Sequence, residues 1–279
     1  MTMLVADDES EFQGVIKPAL DKRRVRIIRS NFGAHYQDQN FLPNADELAL
    51  EYQRGEIDGA LIYAVPLPSA TPDEFVAFIK SLVGPTPPVW LLGIYQDWER
   101  WAGQSYAISG DHSSWANRAY GLLAHYMGSW TASGFYGNKG DLAELIPNRD
   151  PRGWVIEANY CSTLDFKAVK GQIAQQYTDG ETKWGMPPGM PNTVNGVACD
   201  QNAFDPARFP TGARLRAYMR PTVPAHAAAA PTVPPFRLPT GGPAGSLVDP
   251  TGHARYVPTT HGFDVYVDNQ RYLIPLQKG

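Results

Sequence analysis

Strand-like and helix-like segments alternate along about 200 residues of this 279-residue chain, and this alternation is the strongest constraint on its fold. The segment Gly59–Val65 is short and apolar, as strands are. Pro72–Val83 follows Thr71 as a helix cap, begins with proline and carries apolar residues at helical spacing. Strands that alternate with helices favour a parallel sheet. The sequence therefore predicts an α/β fold, an irregular (β/α) barrel in which loops replace some later helices.

The same patterns give the other predicted elements. The predicted strands are Met3–Ala6, Val25–Arg29, Gly59–Val65, the apolar run that begins at Val89, Thr131–Tyr136, Trp154–Ala158, Gln172–Tyr177 and Val194–Cys199. The predicted helices are Gly14–Lys22, Ala45–Arg54, Pro72–Val83, His112–Met127 and Leu142–Ile146.

The composition changes near Met219, where the barrel pattern stops. Pro221–Gly245 carries seven prolines and a run of four alanines, which is typical of a semi-rigid linker. Further on, Phe263–Val267 and Arg271–Ile274 flank a turn and predict a β-hairpin. We therefore predict a barrel domain over 1–219, a Pro/Ala-rich linker over 220–245 and a small hairpin segment over 246–279. That last segment is too short for its own core, so it is expected to dock on the barrel, another copy or a partner assembly.

Charge and composition exclude several classes of protein. A net charge of −4 and a pI near 5.9 give no general attraction to nucleic acid or to anionic membranes. No apolar run approaches the ~20 residues of a membrane-spanning helix, and the N-terminus lacks signal-peptide features. The basic run from Lys22 to Arg29 is expected to decorate a helix end and the next strand. Cys161 and Cys199 have no metal-ligand spacing and are expected to be free thiols. We expect no cofactor, no metal, no nucleic-acid partner and no membrane insertion.

Four carboxylates fall where the predicted strands end. Asp97 and Glu99 follow the Val89 run with one residue between them, so both side chains point to one side. Asp8 follows the first predicted strand and Asp200 the last, and in a closed barrel these two strands are neighbours. Four clustered acids cannot all ionise cheaply, and a protonated acid beside carboxylates suits cleavage of a glycosidic bond. A polar rim on a core strand or a metal site are the alternatives, although no histidine lies in these segments.

Aromatic residues also cluster near the predicted strand ends. Sugar rings stack on such side chains, whereas ordinary core packing would account for roughly half of them. The candidates are Tyr63, Trp98, Trp101, Tyr136, Trp154, Tyr177 and Trp184.

Six segments, in order over residues 8–204, resemble motifs of the family 25 glycoside hydrolases, the lysozymes or N-acetylmuramidases of many phages and bacteria. Asp8–Gly14 resembles D-V-S-x-[YW]-Q-G, and Gln96–Glu99 stands where the family has L-D-x-E. Asp38–Asn44 is similar to D-x-x-F-x-x-N, and Trp154–Tyr160 is similar to W-I-A-x-Y. Gln176–Gly180 is similar to Q-Y-x-x-G, and Val197–Phe204 is similar to V-D-x-N-x-F. Each match alone is weak, but their shared order is fairly specific.

The resemblance implies a flattened (β/α) barrel that hydrolyses the β-1,4 bond between N-acetylmuramic acid and N-acetylglucosamine. Glu99 would be the general acid/base, and Asp97 would assist it directly or by orienting the substrate's N-acetyl group. Asp8 and Asp200 would hold the charge and hydrogen bonds of the site. The predicted substrate-binding residues are Tyr63, Trp98, Tyr136, Trp154, Gln176, Tyr177 and Asn202.

The chain also departs from the family pattern and is identified as a divergent member of phage type. Gln96 replaces a leucine, Glu9 replaces a valine, and Asn31–Gly33 replaces T-E-G and loses its acid. We expect a peptidoglycan hydrolase made in the host cytoplasm that reaches the wall by holin release or within the virion. In the second version 246–279 contacts tail or other virion proteins; in the first it contacts the wall. The alternatives are a non-catalytic carbohydrate-binding or structural tail protein on the same barrel, and a glycosidase for chitin-like or capsular sugars.

Overall fold

The chain forms two compact units, Met1–Ala230 and Pro231–Gly279. The computed structural model describes the backbone of four C-terminal strands and, with their side chains, residues 3–10, 13–15, 23–100, 108–180, 185–194 and 196–221. The predicted helix Gly14–Lys22 falls largely outside these residues. The predicted domain boundaries at 219 and 245 remain predictions.

The first unit contains the barrel strands and the helices around them. Its strands are β1 (Val5–Glu9), β2 (Val25–Phe32), β3 (Tyr36–Gln37), β4 (Gly59–Val65), β5 (Leu91–Asp97), β6 (Ser133–Gly137), β7 (Trp154–Ala158), β8 (Gln172–Thr178), β9 (Thr193–Val194), β10 (Val197–Ala198) and β11 (Asp200–Phe204). Its helices are α1 (Phe41–Gln53), α2 (Pro72–Val83), α3 (Ser113–Met127), α4 (Lys139–Leu145) and α5 (Gly212–Met219).

Eight strands close into a barrel in the order β1-β11-β8-β7-β6-β5-β4-β2, and β1 pairs with β2 to complete the ring. The ladders are parallel except at β11, which runs antiparallel to both β1 and β8. The short β3 pairs with the end of β2 outside the ring. Residues 159–171, between β7 and β8, form no helix. The predicted irregular α/β barrel is therefore confirmed.

Side chains alternate between the barrel interior and the helix layer. On β4, Leu61 joins the interior cluster while Ile62 packs in the cluster beneath the helices. Helix α5 covers the end where β4 and β5 begin. There Arg216 donates hydrogen bonds to the carbonyls of Asp58 (3.2 Å) and Val89 (2.9 Å). One end of the barrel is thus closed, and the site must lie at the other.

Most predicted helices are present with shifted starts. α2 has the predicted bounds, and its capping box joins Thr71 and Glu74. α4 begins earlier than predicted because the Asn138 side chain accepts a hydrogen bond from the Asp141 amide and caps the first turn. β6 starts late because Trp130–Ala132 forms a 3₁₀ turn.

Two strand predictions at the barrel seam are wrong. Asp8 does not follow the first strand but lies within β1, opposite Ile27 of β2. Val194–Cys199 is not one strand, because Gly196 has a φ of +80° and turns the chain between β9 and β10. The last barrel strand instead begins at Asp200.

The second unit contains a four-stranded antiparallel sheet. The predicted hairpin corresponds to its last two strands, and two further strands precede it that the sequence patterns did not indicate. The strands, paired in chain order, are β12 (Leu247–Val248), β13 (Ala254–Thr259), β14 (Gly262–Val267) and β15 (Gln270–Pro275).

Arg26, from the basic run predicted to decorate a helix end and the next strand, is buried between β1 and α1 among three acids. Its guanidinium lies 3.2 Å from Asp7 and 2.8 Å from Glu51, and it also donates a hydrogen bond to Glu9. Burial, with the nearby Asp7, raises the pKa of Glu9 to about 8 despite the pull of Arg26. The cation on β2 therefore neutralises the outward-facing acids of β1.

We expect Arg26→Met to lower the free energy of unfolding by roughly 3–5 kcal/mol at pH 7, because it leaves buried carboxylates without their cation. Denaturant titration would measure this, with Arg118→Met as control. Arg118 pairs with Asp73 at 2.8 Å, but both side chains are more than half exposed, so its loss should leave the stability almost unchanged. Equal losses in the two variants would contradict the role given to Arg26.

Candidate active site

A cavity of about 480 Å³ opens at the end of the barrel opposite α5. All four predicted carboxylates line it: Asp8 from β1, Asp97 and Glu99 from the end of β5, and Asp200 from the start of β11. Asp200 reaches this edge because β11 is antiparallel, so its first residue lies beside the last residues of its neighbours. The sequence thus predicted the gathering of the acids correctly but for the wrong reason at Asp200.

Backbone and tyrosine hydrogen bonds hold the β5 pair. The Glu99 amide donates to Asp97 Oδ1 at 2.9 Å, and the Tyr136 hydroxyl donates to Glu99 Oε2 at 2.9 Å. The Trp98 amide donates to the Tyr136 carbonyl at 2.9 Å and ties the segment after β5 to β6. Both acids therefore face the cavity, as their spacing predicted.

The other two acids lie opposite each other at the barrel seam. Asp8 is the register partner of Asp200 across the β1–β11 ladder. The Tyr95 hydroxyl donates to Asp8 Oδ2 at 3.0 Å, and the Gln176 side chain hydrogen-bonds to Asp200. Tyr136 and Tyr160 also contact the Gln176 oxygen, the latter at 3.2 Å. A network of hydrogen bonds therefore joins both sides of the cavity.

Burial raises the pKa of every one of these carboxyls. For Asp8 the Asp200 charge adds to burial, and for Asp200 the neighbouring Asp179 adds to it and raises the pKa to about 7. Burial and Glu99 raise the pKa of Asp97, whereas the Glu99 amide lowers it. Burial raises the pKa of Glu99 against the hydrogen bond from Tyr136. The cluster therefore retains protons near neutral pH.

Three of the seven predicted substrate-binding residues line the cavity, namely Tyr63, Tyr136 and Gln176. Trp98 instead packs against Trp115 and His112 under the helices, since its side chain points away from those of Asp97 and Glu99. The remaining three, which are also buried away from the cavity lining, are Trp154, Tyr177 and Asn202.

Each of those three has a structural reason for its place. Trp154 begins β7, so it fills the barrel interior and donates to the Thr131 carbonyl at 3.0 Å. Tyr177 faces outward from β8 and donates to the Pro191 carbonyl at 2.6 Å. Asn202 lies two residues inside β11, below Asp200. Their predicted places at the cavity wall are wrong, and Trp101 and Trp184 lie outside the described residues.

Several residues that line the cavity were missed. Asp179 directly follows β8, and Tyr160 comes two residues after the end of β7, so the strand-end rule that found Glu99 could have found both. Tyr95 shares its face with Asp97, two residues on. Arg29, on the interior face of β2, had no local signal because its partner Asp38 lies on another segment.

Within the part of the chain that the structure describes, no group of three or more His, Cys, Asp or Glu side chains is arranged to hold a metal ion. Cys161 and Cys199 are free thiols, as expected. Over the same residues, no helix is both long and apolar enough to cross a membrane.

Comparison with known proteins relates the chain to one curated protein. It is 31% identical over 206 residues to the uncharacterized protein Rv3766 of Mycobacterium tuberculosis, across 73% of this chain and 70% of that protein. This chain belongs to the same family as Rv3766. No family model matches the present chain.

Solved structures identify the fold of this Rv3766 relative. A lysozyme from Streptomyces coelicolor superposes with a TM-score of 0.57 at 16% identity, over 79% of this chain and 99% of that one. A family 25 glycosyl hydrolase from Bacillus anthracis gives 0.56 at 14% identity, over 72% and 88%. The catalytic domain of the endolysin of Listeria monocytogenes phage P40 gives 0.51 at 15% identity, over 73% and 94%. The barrel therefore has the fold of family 25 lysozymes, as the motifs implied.

We expect Asp200→Asn to stabilise the protein at pH 7 to 8. A folded-state pKa near 7, raised from 3.8, means that the native state binds more protons than the unfolded chain between these values, so stability falls as pH rises through this window. The amide removes that loss, and we expect a gain of up to about 4 kcal/mol at pH 7 that shrinks toward pH 4.

Thermal unfolding followed by calorimetry at pH 4 to 8 would measure this gain. Asp150→Asn is the control, because Arg152 lowers the pKa of Asp150 and the same change should not stabilise. A constant difference between Asp200→Asn and wild type across the pH range would contradict the assignment.

Proposed function

We propose that this protein is a peptidoglycan hydrolase that cleaves the β-1,4 bond between N-acetylmuramic acid and N-acetylglucosamine. One observation carries the proposal: Glu99 lies in the cavity with a raised pKa, beside Asp97 and under the Tyr136 hydroxyl. A protonated acid beside a second carboxyl in a partly enclosed cavity is what glycosidic cleavage needs.

Glu99 is the proton donor in this mechanism. Burial raises the pKa of its carboxyl and so favours the protonated form, which gives its proton to the glycosidic oxygen as the bond to the anomeric carbon breaks. The hydroxyl of Tyr136 then stabilises the carboxylate that remains. Glu99 subsequently takes a proton from the incoming water, which completes the hydrolysis.

Asp97 assists at the anomeric carbon. In its ionised form, which the Glu99 amide favours against burial, it stabilises the positive charge that develops on the sugar, or orients the N-acetyl group that does so. The Glu99 amide fixes its Oδ1 at 2.9 Å, which holds the carboxylate toward the cavity. Asp8 and Asp200 act more remotely: they anchor Tyr95 and Gln176 and share the retained protons.

The cavity wall offers contacts for a glycan. Tyr63, Tyr136 and Tyr160 line it together with Gln176 and the acids. Such mixed surfaces take the apolar faces and hydroxyls of sugars. The volume of about 480 Å³ falls in the usual range of ligand sites.

The similar solved structures support the proposal by what they are, a bacterial lysozyme and a phage endolysin among them. We further propose that the protein acts on the bacterial wall, either released as an endolysin or carried by a virion with 246–279 on tail proteins. The relative at 31% identity comes from a bacterium, so the family alone does not favour a phage origin.

The second candidate is a carbohydrate-binding protein without activity on the same barrel. A binding site gains nothing from four acids whose pKa values burial raises, since ionising them in the folded state costs stability. The presence of all four carboxyls therefore favours an enzyme over a binding protein.

Digestion of purified walls, followed by mass analysis of the products, tests the function. Walls from Mycobacterium and Streptomyces come first, since related proteins occur there. Wild type should release muropeptides with reducing N-acetylmuramic acid ends, and Glu99→Gln should lower the rate at least ~100-fold because it cannot give the proton.

Glu157→Gln is the matched control. Glu157 is also a buried glutamate with a raised pKa, but it bonds to Gln172 outside the cavity lining, so its amide variant should keep wild-type activity. Full activity of Glu99→Gln would overturn the assigned donor. Reducing N-acetylglucosamine ends would refute the proposed bond, and no release from any wall would leave the binding protein as the better reading.

A further inference from the structure

Two tyrosine hydroxyls meet at one amide oxygen in the cavity wall. Tyr136 lies near the end of β6 and Tyr160 two residues after β7. Both hydroxyls donate to Gln176 Oε1 on β8, the second at 3.2 Å, and they also hydrogen-bond to each other. The Gln176 amide nitrogen points elsewhere and donates to Asp200. Three neighbouring strands therefore bring two hydroxyl donors to the same buried acceptor.

Tyr136 has one proton to donate and more than one acceptor within reach. Its hydroxyl lies 2.9 Å from Glu99 Oε2 and also contacts Gln176 Oε1. Burial raises the pKa of Tyr136 and of Tyr160, so both stay neutral and each keeps a single hydroxyl proton. While Glu99 is protonated, Tyr136 is free to donate to Gln176. Once Glu99 becomes a carboxylate, the oxygens of Glu99 and Gln176 compete for the same proton.

Tyr160 supplies the donor that decides this competition. Its hydroxyl reaches Gln176 Oε1 at 3.2 Å whichever acceptor Tyr136 uses. Gln176 is almost fully buried, and a buried amide oxygen that loses its hydrogen bond destabilises the fold. With Tyr160 in place, Gln176 keeps a donor when Tyr136 turns to Glu99. Without Tyr160, each hydrogen bond that Tyr136 makes to Glu99 would leave Gln176 without a hydroxyl donor.

We propose that Tyr160 is a positioning residue that frees the Tyr136 proton to stabilise Glu99 after Glu99 has protonated the substrate. The inference rests on the proposed function. As the Glu99 proton moves to the glycosidic oxygen and the bond to the anomeric carbon breaks, the Tyr136 hydroxyl turns from Gln176 to the new carboxylate. Gln176 then keeps its hydrogen bond from Tyr160. Both tyrosines remain neutral, and the Glu99 proton is the only one transferred.

The surroundings of Glu99 make this hydrogen bond important. Besides the two tyrosines, the titratable groups around it are Asp8 on β1, Asp97 on β5, Asp141 on α4, Asp179 after β8 and Asp200 on β11. The arginines of the cavity lining are paired with other acids, Arg29 with Asp38 at 2.8 Å and Arg100 with Glu144 at 2.6 Å. Neutral donors therefore stabilise the Glu99 carboxylate, Tyr136 first and Asn138 second.

The pH profile of kcat/KM on walls would test this role. Its alkaline limb reports the group that must be protonated, which is Glu99 in the proposed mechanism. Tyr160→Phe removes only a hydroxyl, so the Glu99 carboxylate loses part of its hydrogen bond and the pKa of Glu99 should rise. We expect the alkaline limb to move up by about half to one pH unit. The transition state loses the same stabilisation, so kcat should fall about three- to tenfold while KM stays unchanged.

A double-mutant cycle would show whether Tyr160 acts through Tyr136. In the Tyr136→Phe background, Tyr160→Phe should shift the limb no further. Tyr126→Phe is the matched control, because the Tyr126 hydroxyl donates to the Gly84 carbonyl at 2.8 Å outside the cavity lining, and the limb should stay in place. An additive shift in the double variant would overturn the proposal. So would an unmoved limb in Tyr160→Phe, whether KM rises, as for a plain substrate contact, or only the amount of folded protein falls.

A second measurement does not depend on activity. Carbon-13 NMR titration of labelled glutamates, with the Glu99 signal assigned through Glu99→Gln, should show a higher pKa of Glu99 in Tyr160→Phe and the wild-type pKa in Tyr126→Phe. An unchanged pKa of Glu99 in Tyr160→Phe would refute the role of Tyr160. If the wild type cleaves no wall, the proposed function fails, and this titration still decides whether Tyr160 supports the Glu99 carboxylate.

Discussion

The antiparallel pairing of β11 with β1 is the interaction on which the site depends. It closes the barrel and, in the same register, sets Asp8 opposite Asp200. Because β11 runs against its neighbours, its first residue reaches the cavity edge that the other strands reach with their last. A slip of one residue would turn each of these acids to the other face. Closure of the fold and assembly of the carboxylate cluster are therefore one event.

Local sequence patterns predicted most of the fold, since strand and helix periodicity identified most elements of the barrel. The spacing of Asp97 and Glu99 also predicted that their side chains point in the same direction. The errors arose where a pattern does not specify the direction of a strand or whether a side chain faces the cavity. Gly196 interrupts Val194–Cys199, which was predicted as one strand, and nothing local shows that β11 runs antiparallel. Aromatic residues near strand ends were over-assigned because a strand has two ends and two faces, and Trp154 lies at the wrong end.

The basic run before and within β2 also shows that local sequence does not indicate which partners a side chain meets in the folded barrel. Arg26 and Arg29 are three residues apart, so the strand sends them to opposite faces. Arg26 meets acids of β1 and α1 outside the ring, and Arg29, which lines the cavity, pairs with Asp38. Only the closed barrel brings these partners together. The two arginines are thus buried counter-charges: Arg26 neutralises acids outside the ring, and Arg29 neutralises Asp38.

Burial of so many acids links stability to the proposed chemistry. Glu9 and Asp200, with pKa values raised to about 8 and about 7, take up protons as the chain folds. The folded state is therefore favoured on the acidic side of neutrality and weakened as pH rises through these values. Burial also raises the pKa of Glu99 and so favours the protonated form from which it donates. Loss of stability and loss of the proton donor at alkaline pH then share one physical cause, the desolvation of carboxylates at the barrel seam and mouth.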